Sequence, residues 1–193
     1  MERRITGVLE DARYPTAARE YACSKLKLIG SKHSVSGLEK LLFAPELFDA
    51  ARNALESIPG AEASAALRKS LRQLSDRQKA GVIHSLGARR DESSVATLRT
   101  MLNDANPEEA GAAAEALGAI GTTKSAAALR AFLKKARPQS KPLIADAMLA
   151  CAERLIKGGK HKDARALYLA ISDSPQPAYI RKAAELGLTH IAD

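Results

Sequence analysis

Apolar residues recur along this chain at helical spacing, and Gly and Pro cut the pattern into short stretches. Leu26-Lys27-Leu28-Ile29-Gly30 and Leu117-Gly118-Ala119-Ile120-Gly121 share one shape, a leucine followed within a turn by isoleucine and glycine. Leu55-Glu56-Ser57-Ile58-Pro59-Gly60 repeats it with the glycine one place later. Leu86-Gly87-Ala88, Leu155-Ile156-Lys157-Gly158 and Leu186-Gly187-Leu188 extend the series. The leading leucines stand at 26, 55, 86, 117, 155 and 186, so the steps are 29, 31, 31, 38 and 31 residues. The long step holds Arg137-Pro138-Gln139-Ser140-Lys141-Pro142, a loop insertion. Recurrence at such a period marks a repeat array.

A second column confirms the period. Twelve residues after each of the first five anchors stands another leucine: Leu38, Leu67, Leu98, Leu129 and Leu167. Each unit therefore reads as helix A, a tight turn and helix B. Pro15, Pro45, Pro107, Pro142 and Pro177 stand where A helices begin, because proline lacks the N–H that a first helical turn leaves unpaired. In the third unit Ser75-Asp76 replaces proline as the cap. The glycine after helix A is expected to take the left-handed conformation. One helix pair cannot close a core, so neighbouring pairs stack. The boundaries are a half-unit at 1–14, units at 15–44, 45–74, 75–105, 106–138 and 139–174, and a half-unit at 175–193, all in a single array. The half-units are expected of natural caps or of a piece excised from a longer protein.

Ala114-Glu115-Ala116-Leu117-Gly118-Ala119-Ile120-Gly121, followed by Leu129, resembles the HEAT-repeat signature in its short bacterial form. That form is similar to the repeats of phycobilisome lyases, and units two to four resemble arrays in planctomycete-type multidomain proteins. Unit five also looks somewhat like a tetratricopeptide repeat. The resemblance implies an all-α fold, a right-handed α-solenoid of about five to six stacked HEAT-like repeats, with the B helices lining its concave surface. It says little about activity, because the fold carries many.

Composition agrees with this fold and adds a charge. Aromatic residues make up 4% of the chain and there is no Trp, so the interior is Ala and Leu, which suits close-packed helices. The formal net charge is +8 and the isoelectric point about 9.6. Thirteen residues after the anchors stand Glu39, Arg68, Arg99, Arg130 and Tyr168, and four further on Phe43, Arg72, Asn103, Lys134 and Ser172. Units two to four thus place Arg68, Arg72, Arg99, Arg130 and Lys134 on one side of successive B helices. Such a ladder fits an acidic peptide, another polyanion or nucleic acid; equally, it fits cations that merely solvate exposed helix. Unit three carries Arg89 where units one, two and four have isoleucine, and Arg90 where others have glycine. Arg89 is expected to turn outward or to meet Asp91 or Glu92, with a binding role for the pair as the alternative.

Catalytic chemistry finds little support. His33, His84, His161 and His190 belong to no HExxH run, and no His-Glu dipeptide occurs of the kind found in HEAT-type di-iron hydroxylases. Cys23 and Cys151 read as buried small hydrophobes in A helices, four units apart and beyond bridging distance. There is no G-x-S-x-G, and Gly158-Gly159-Lys160 lacks the spacing of a phosphate loop. A HEAT-like DNA glycosylase would need aromatic side chains gathered at one place, and the few here are scattered. The expectation is a non-catalytic interaction scaffold or binding domain without cofactor or metal, acting through its B-helix face on another protein or an acidic peptide. Nucleic-acid or polyanion binding is the alternative. A monomer with no membrane contact is expected; its compartment is cytoplasmic by default, or outside the cell if the chain is part of a longer secreted protein.

Overall fold

Helix α8, Pro107–Ile120, shows how the sequence sets each element. The Asn106 side chain accepts from the Glu108 N–H at 3.0 Å, proline opens the first turn, and Glu108 and Glu109 complement the positive end of the helix dipole. At the other end Gly121 takes the left-handed conformation (φ 66°) and returns its N–H to the Leu117 carbonyl at 3.1 Å. Gly159 takes the same conformation (φ 70°), whereas the earlier turns differ. Gly30 is extended, Gly87 lies within a helix, and in unit three Arg90 occupies the left-handed region (φ 53°). Pro45 also departs from expectation. It lies in a turn closed by the Leu47 N–H on the Ala44 carbonyl, and the helix begins three residues later. The third-unit cap is Ser75 paired with Gln78, whose Oε1 accepts from the Ser75 hydroxyl at 2.9 Å.

The computed structural model describes residues 1–103 and 106–191, apart from the side chain of Asp76. Asp104, Ala105 and the chain end at Asp193, which the repeat boundaries include, lie outside the described residues. Among the described residues every regular element is helical. The helices are α1 Glu2–Glu10, α2 Thr16–Ile29, α3 Lys32–Leu41, α4 Phe48–Ser57, α5 Ala61–Ser70, α6 Asp76–Ala88, α7 Val95–Met101, α8, α9 Thr123–Leu133, α10 Lys141–Lys157, α11 His161–Ser172 and α12 Ala178–Ile191. The fold class is an α-solenoid.

The chain divides into two compact units, Met1–Arg89 and Arg90–Asp193. The join falls inside the segment 75–105, between the two helices that the leucine spacing assigns to one repeat. In both units each B helix packs on the A helix after it, which makes three hairpins per unit: α1/α2, α3/α4 and α5/α6, then α7/α8, α9/α10 and α11/α12. Within unit 1 the A helices α2, α4 and α6 pack in succession, as do the B helices α1, α3 and α5. Within unit 2 the same holds for α8, α10 and α12, and for α7, α9 and α11.

The leucine columns form the core of each unit. Leu26, Leu55 and Leu86 in unit 1 and Leu117 and Leu155 in unit 2 are buried, as are Leu38, Leu67, Leu98, Leu129 and Leu167. Burying each such side chain contributes about 1.5–3 kcal/mol. Helices α8 and α10 pack closely at Gly118, where a Cβ would lie 2.6 Å from the Ala147 carbonyl oxygen. No helix among the described residues is long and apolar enough to cross a membrane.

Candidate functional site

The B-helix face of unit 2 carries the clearest candidate. On α9 the residues Ala127, Arg130, Ala131 and Lys134 recur at three- and four-residue spacing and share one exposed side, with Leu129 and Leu133 buried opposite. Arg99 is exposed on α7. Between the two helices runs an open groove of about 490 Å³. Val95, Ala96, Ala127, Ala128 and Ala131 form its floor, and Arg99 and Lys124 flank it. Glu92 is the acidic residue at its edge. Small side chains below and cations beside make a channel that admits a backbone and attracts negative charge.

Unit 1 has a groove at the equivalent place between α3 and α5, of about 330 Å³. Its charges are balanced, with Lys32 and Lys69 against Glu39 and Glu62. Lys69 pairs with Glu39 at 2.8 Å, which removes both from recognition of a partner. Arg68 is half-buried on α5, and Arg72 is exposed just beyond the end of that helix. The cations that sequence spacing puts in one ladder therefore stand on two units, Arg68 and Arg72 on the first, Arg99, Arg130 and Lys134 on the second.

Arg89 is half-buried and turns back onto the backbone of the preceding hairpin. Its Nη1 donates to the carbonyls of Leu55 at 2.7 Å, Glu56 at 2.9 Å and Ile58 at 2.5 Å. Nη2 donates to the Gly60 carbonyl at 2.6 Å, and Nε to the Ser64 hydroxyl at 2.8 Å. These carbonyls end α4, where a helix leaves acceptors without internal partners. The arginine in an apolar column is thus a clamp on the preceding hairpin, held by backbone carbonyls. Arg90 is exposed at the turn.

The remaining reactive groups are quiet. Cys23 and Cys151 are free and buried, and burial pushes their thiols up to about 11 and about 12. His84, expected to be half-buried, is exposed, as are His33, His161 and His190. Among the described residues no three His, Cys, Asp or Glu side chains gather to hold a metal ion. Sequence reasoning missed Lys124 near the start of α9. The ladder lies at positions thirteen and seventeen after each anchor, whereas Lys124 stands seven after Leu117.

Residues 65–148 match the family model described as HEAT repeats. No curated protein matches the chain in sequence. Among solved structures, a designed armadillo repeat protein in complex with the peptide (KR)4 is similar at a TM-score of 0.54 and 16% identity, over 97% of this chain and 98% of that one. A crystal structure of an engineered protein is similar at 0.52 and 18% identity, over 99% and 96%. Human deoxyhypusine hydroxylase follows at 0.46 and 19%, over 99% of this chain and 73% of its own. At these identities the likeness concerns the fold alone. Over residues 65–148, in the middle of the chain, the stacked helical hairpins are similar to HEAT repeats.

Proposed function

We propose that this chain is a non-catalytic protein-binding module that holds an acidic, extended peptide segment on the B-helix face of unit 2. The groove between α7 and α9 carries the reading: its alanine floor leaves room for a peptide backbone, Arg99 and Lys124 flank it, and Arg130 and Lys134 are exposed beyond its lining. The designed armadillo protein in complex with (KR)4 gives an example of a similar fold holding a charged peptide. Here the charge is reversed, so the partner is acidic. Arg68 and Arg72 give unit 1 a smaller contact of its own, with Arg90 a further exposed cation. Arg89 is committed to the fold and takes no part.

Nucleic acid is the second reading, on the net charge of +8. It is weakened by the absence of an exposed aromatic side chain among the described residues on α7, α9 and α11, since single-strand binding draws on base stacking. The test is fluorescence anisotropy with an oligoglutamate peptide and an oligonucleotide of matched charge. Arg99, Arg130 and Lys134 are replaced together by Ala, against a control that replaces Arg4, Arg13 and Lys160. The triple variant is expected to bind the peptide roughly tenfold or more weakly, as loss of interface hot spots does. Equal binding by both variants would reduce the cations to a solvated face, and preference for the oligonucleotide would favour the second reading.

A further inference from the structure

The step from Leu117 to Leu155 is 38 residues, against 29 or 31 elsewhere in the series, and the insertion lies between α9 and α10. The sequence predicts a loop there. In the structure Pro138–Ser140 forms a short 3-10 helix, and α10 starts directly after it and runs for 17 residues. Pro138 and Pro142 stand in the first turns of these two elements, where a missing N–H costs nothing. The inserted segment makes one wall of a pocket of about 460 Å³ within unit 2, through Arg137, Gln139 and Ser140, with Leu143 next to them. Leu102, Pro107, Gly111 and Phe132 line it from α7, α8 and α9. Its volume falls in the range of ligand pockets, about 300–1,000 Å³. An insertion confined to one unit of a repeat array commonly shapes a binding face.

The lining has two chemistries. Leu102, Pro107, Phe132 and Leu143 offer apolar surface, and Leu143 is 37% exposed. Lys135 and Arg137 are its charged residues, and both are exposed. Lys135 folds back over Phe132, with Nζ 5.7 Å from the ring centre, which holds the positive charge beside the apolar surface. Among the described residues no acid lines the pocket. Asn103 and Lys135 stand four residues beyond Arg99 and Ala131, which line the α7–α9 groove, so the pocket opens about one turn further along the same two helices. We infer that it takes a bulky apolar side chain of the acidic peptide, aromatic or large aliphatic, while Lys135 and Arg137 hold a carboxylate beside that side chain. The inference rests on the acidic-peptide reading of the groove and adds a specificity determinant to it. Charge selects the class of partner, and the pocket fixes one residue of it and the register. A side chain desolvated in such a pocket concentrates binding energy as an anchor.

The experiment compares three labelled peptides of equal length by fluorescence anisotropy on the 193-residue chain: oligoglutamate, and the same peptide with a central phenylalanine or a central alanine. The last two carry equal charge. The parent chain is expected to bind the phenylalanine peptide about tenfold or more tightly than the alanine peptide, as an anchor residue does. Gly111→Leu fills the pocket: its Cβ would meet Leu143 Cδ1 at 3.6 Å, an ordinary contact, and leucine suits a helix better than glycine. This variant should bind the phenylalanine and alanine peptides alike and leave oligoglutamate binding unchanged. Leu143→Ser, at an exposed position, removes part of the apolar wall and should narrow the preference. Circular dichroism checks the helicity of both. Equal affinity of the parent for the phenylalanine and alanine peptides would overturn the pocket and leave the groove. So would a preference that survives both variants. Binding of the phenylalanine peptide without the other two would overturn the groove and leave the pocket, and binding of none would overturn both.

Discussion

Replacing Arg89 with alanine removes a guanidinium that serves five acceptors at once. The two protons of Nη1 are shared among three carbonyls, so they amount to two full hydrogen bonds, and the Nε–Ser64 contact makes a third. The Nη2–Gly60 contact is exposed and contributes little. Hydrogen bonds from a charged donor contribute about 1.5–3 kcal/mol when buried and about 1 kcal/mol where water competes, and the half-buried Arg89 belongs at the lower end. Three such bonds give a loss of about 3 kcal/mol, in which the cation at the negative end of α4 is included. Amide exchange reads this locally. The Ile58 N–H, bonded to the Ala54 carbonyl at 3.0 Å, lies at the clamped end of α4. A loss of about 3 kcal/mol would raise its exchange rate more than a hundredfold, since each 1.4 kcal/mol is tenfold. Arg89→Ile refills the apolar column but supplies no donor, so it recovers only part. An alanine variant whose Ile58 exchange stays within about threefold of the parent would show that water replaces the clamp without cost.

Three further outcomes are expected. Both thiols should resist alkylation in the native chain at neutral pH, because burial holds their pKa values near 11 and 12, above the unfolded value of 9.0; by the same sign, their contribution to stability is complete below about pH 9 and is lost as pH rises towards those values. The Glu2 carboxylate accepts from the Ser34 hydroxyl at 2.6 Å and the Ser31 N–H at 2.8 Å, and these bonds hold its pKa below the usual 4.5. Its stabilising effect is therefore present above pH 4.5 and lost as pH falls through the depressed value, so Ser31 amide exchange should quicken on acidification and Glu2→Gln should abolish that dependence. Gly118→Ala should destabilise by about 1–2 kcal/mol in a urea melt, because forcing a Cβ against the Ala147 carbonyl at 2.6 Å costs more than the roughly 1 kcal/mol that alanine gains in a helix. A neutral Gly118→Ala would mean that α8 and α10 shift apart freely.

The helices and their buried sides were legible because leucine at a fixed offset records burial directly. Leu38, Leu67, Leu98, Leu129 and Leu167 all lie in the core. Leu186 shares the column of Leu26, Leu55, Leu117 and Leu155 and is 51% exposed. A sequence column reports which face a residue occupies and is silent on whether another hairpin lies against it. Arg89 was unreadable for a different reason. Its acceptors are backbone carbonyls of Leu55, Glu56, Ile58 and Gly60, which every sequence supplies and none advertises. The cationic residues of α7 and α9 were found by offset, but the alanine floor between them, and with it the groove, depends on how two helices face each other.

The nature of the atom opposite each glycine also decides which lesions a second mutation can repair. At Gly81 an added methyl would lie 3.3 Å from Arg52 Nε, the end of a side chain, so trimming Arg52 would restore the fit. At Gly118 the obstacle is the peptide carbonyl of Ala147, which no substitution at 147 removes. A genetic screen for intragenic suppressors should therefore return revertants at position 52 for the first lesion. For the second it should return only true reversion to glycine.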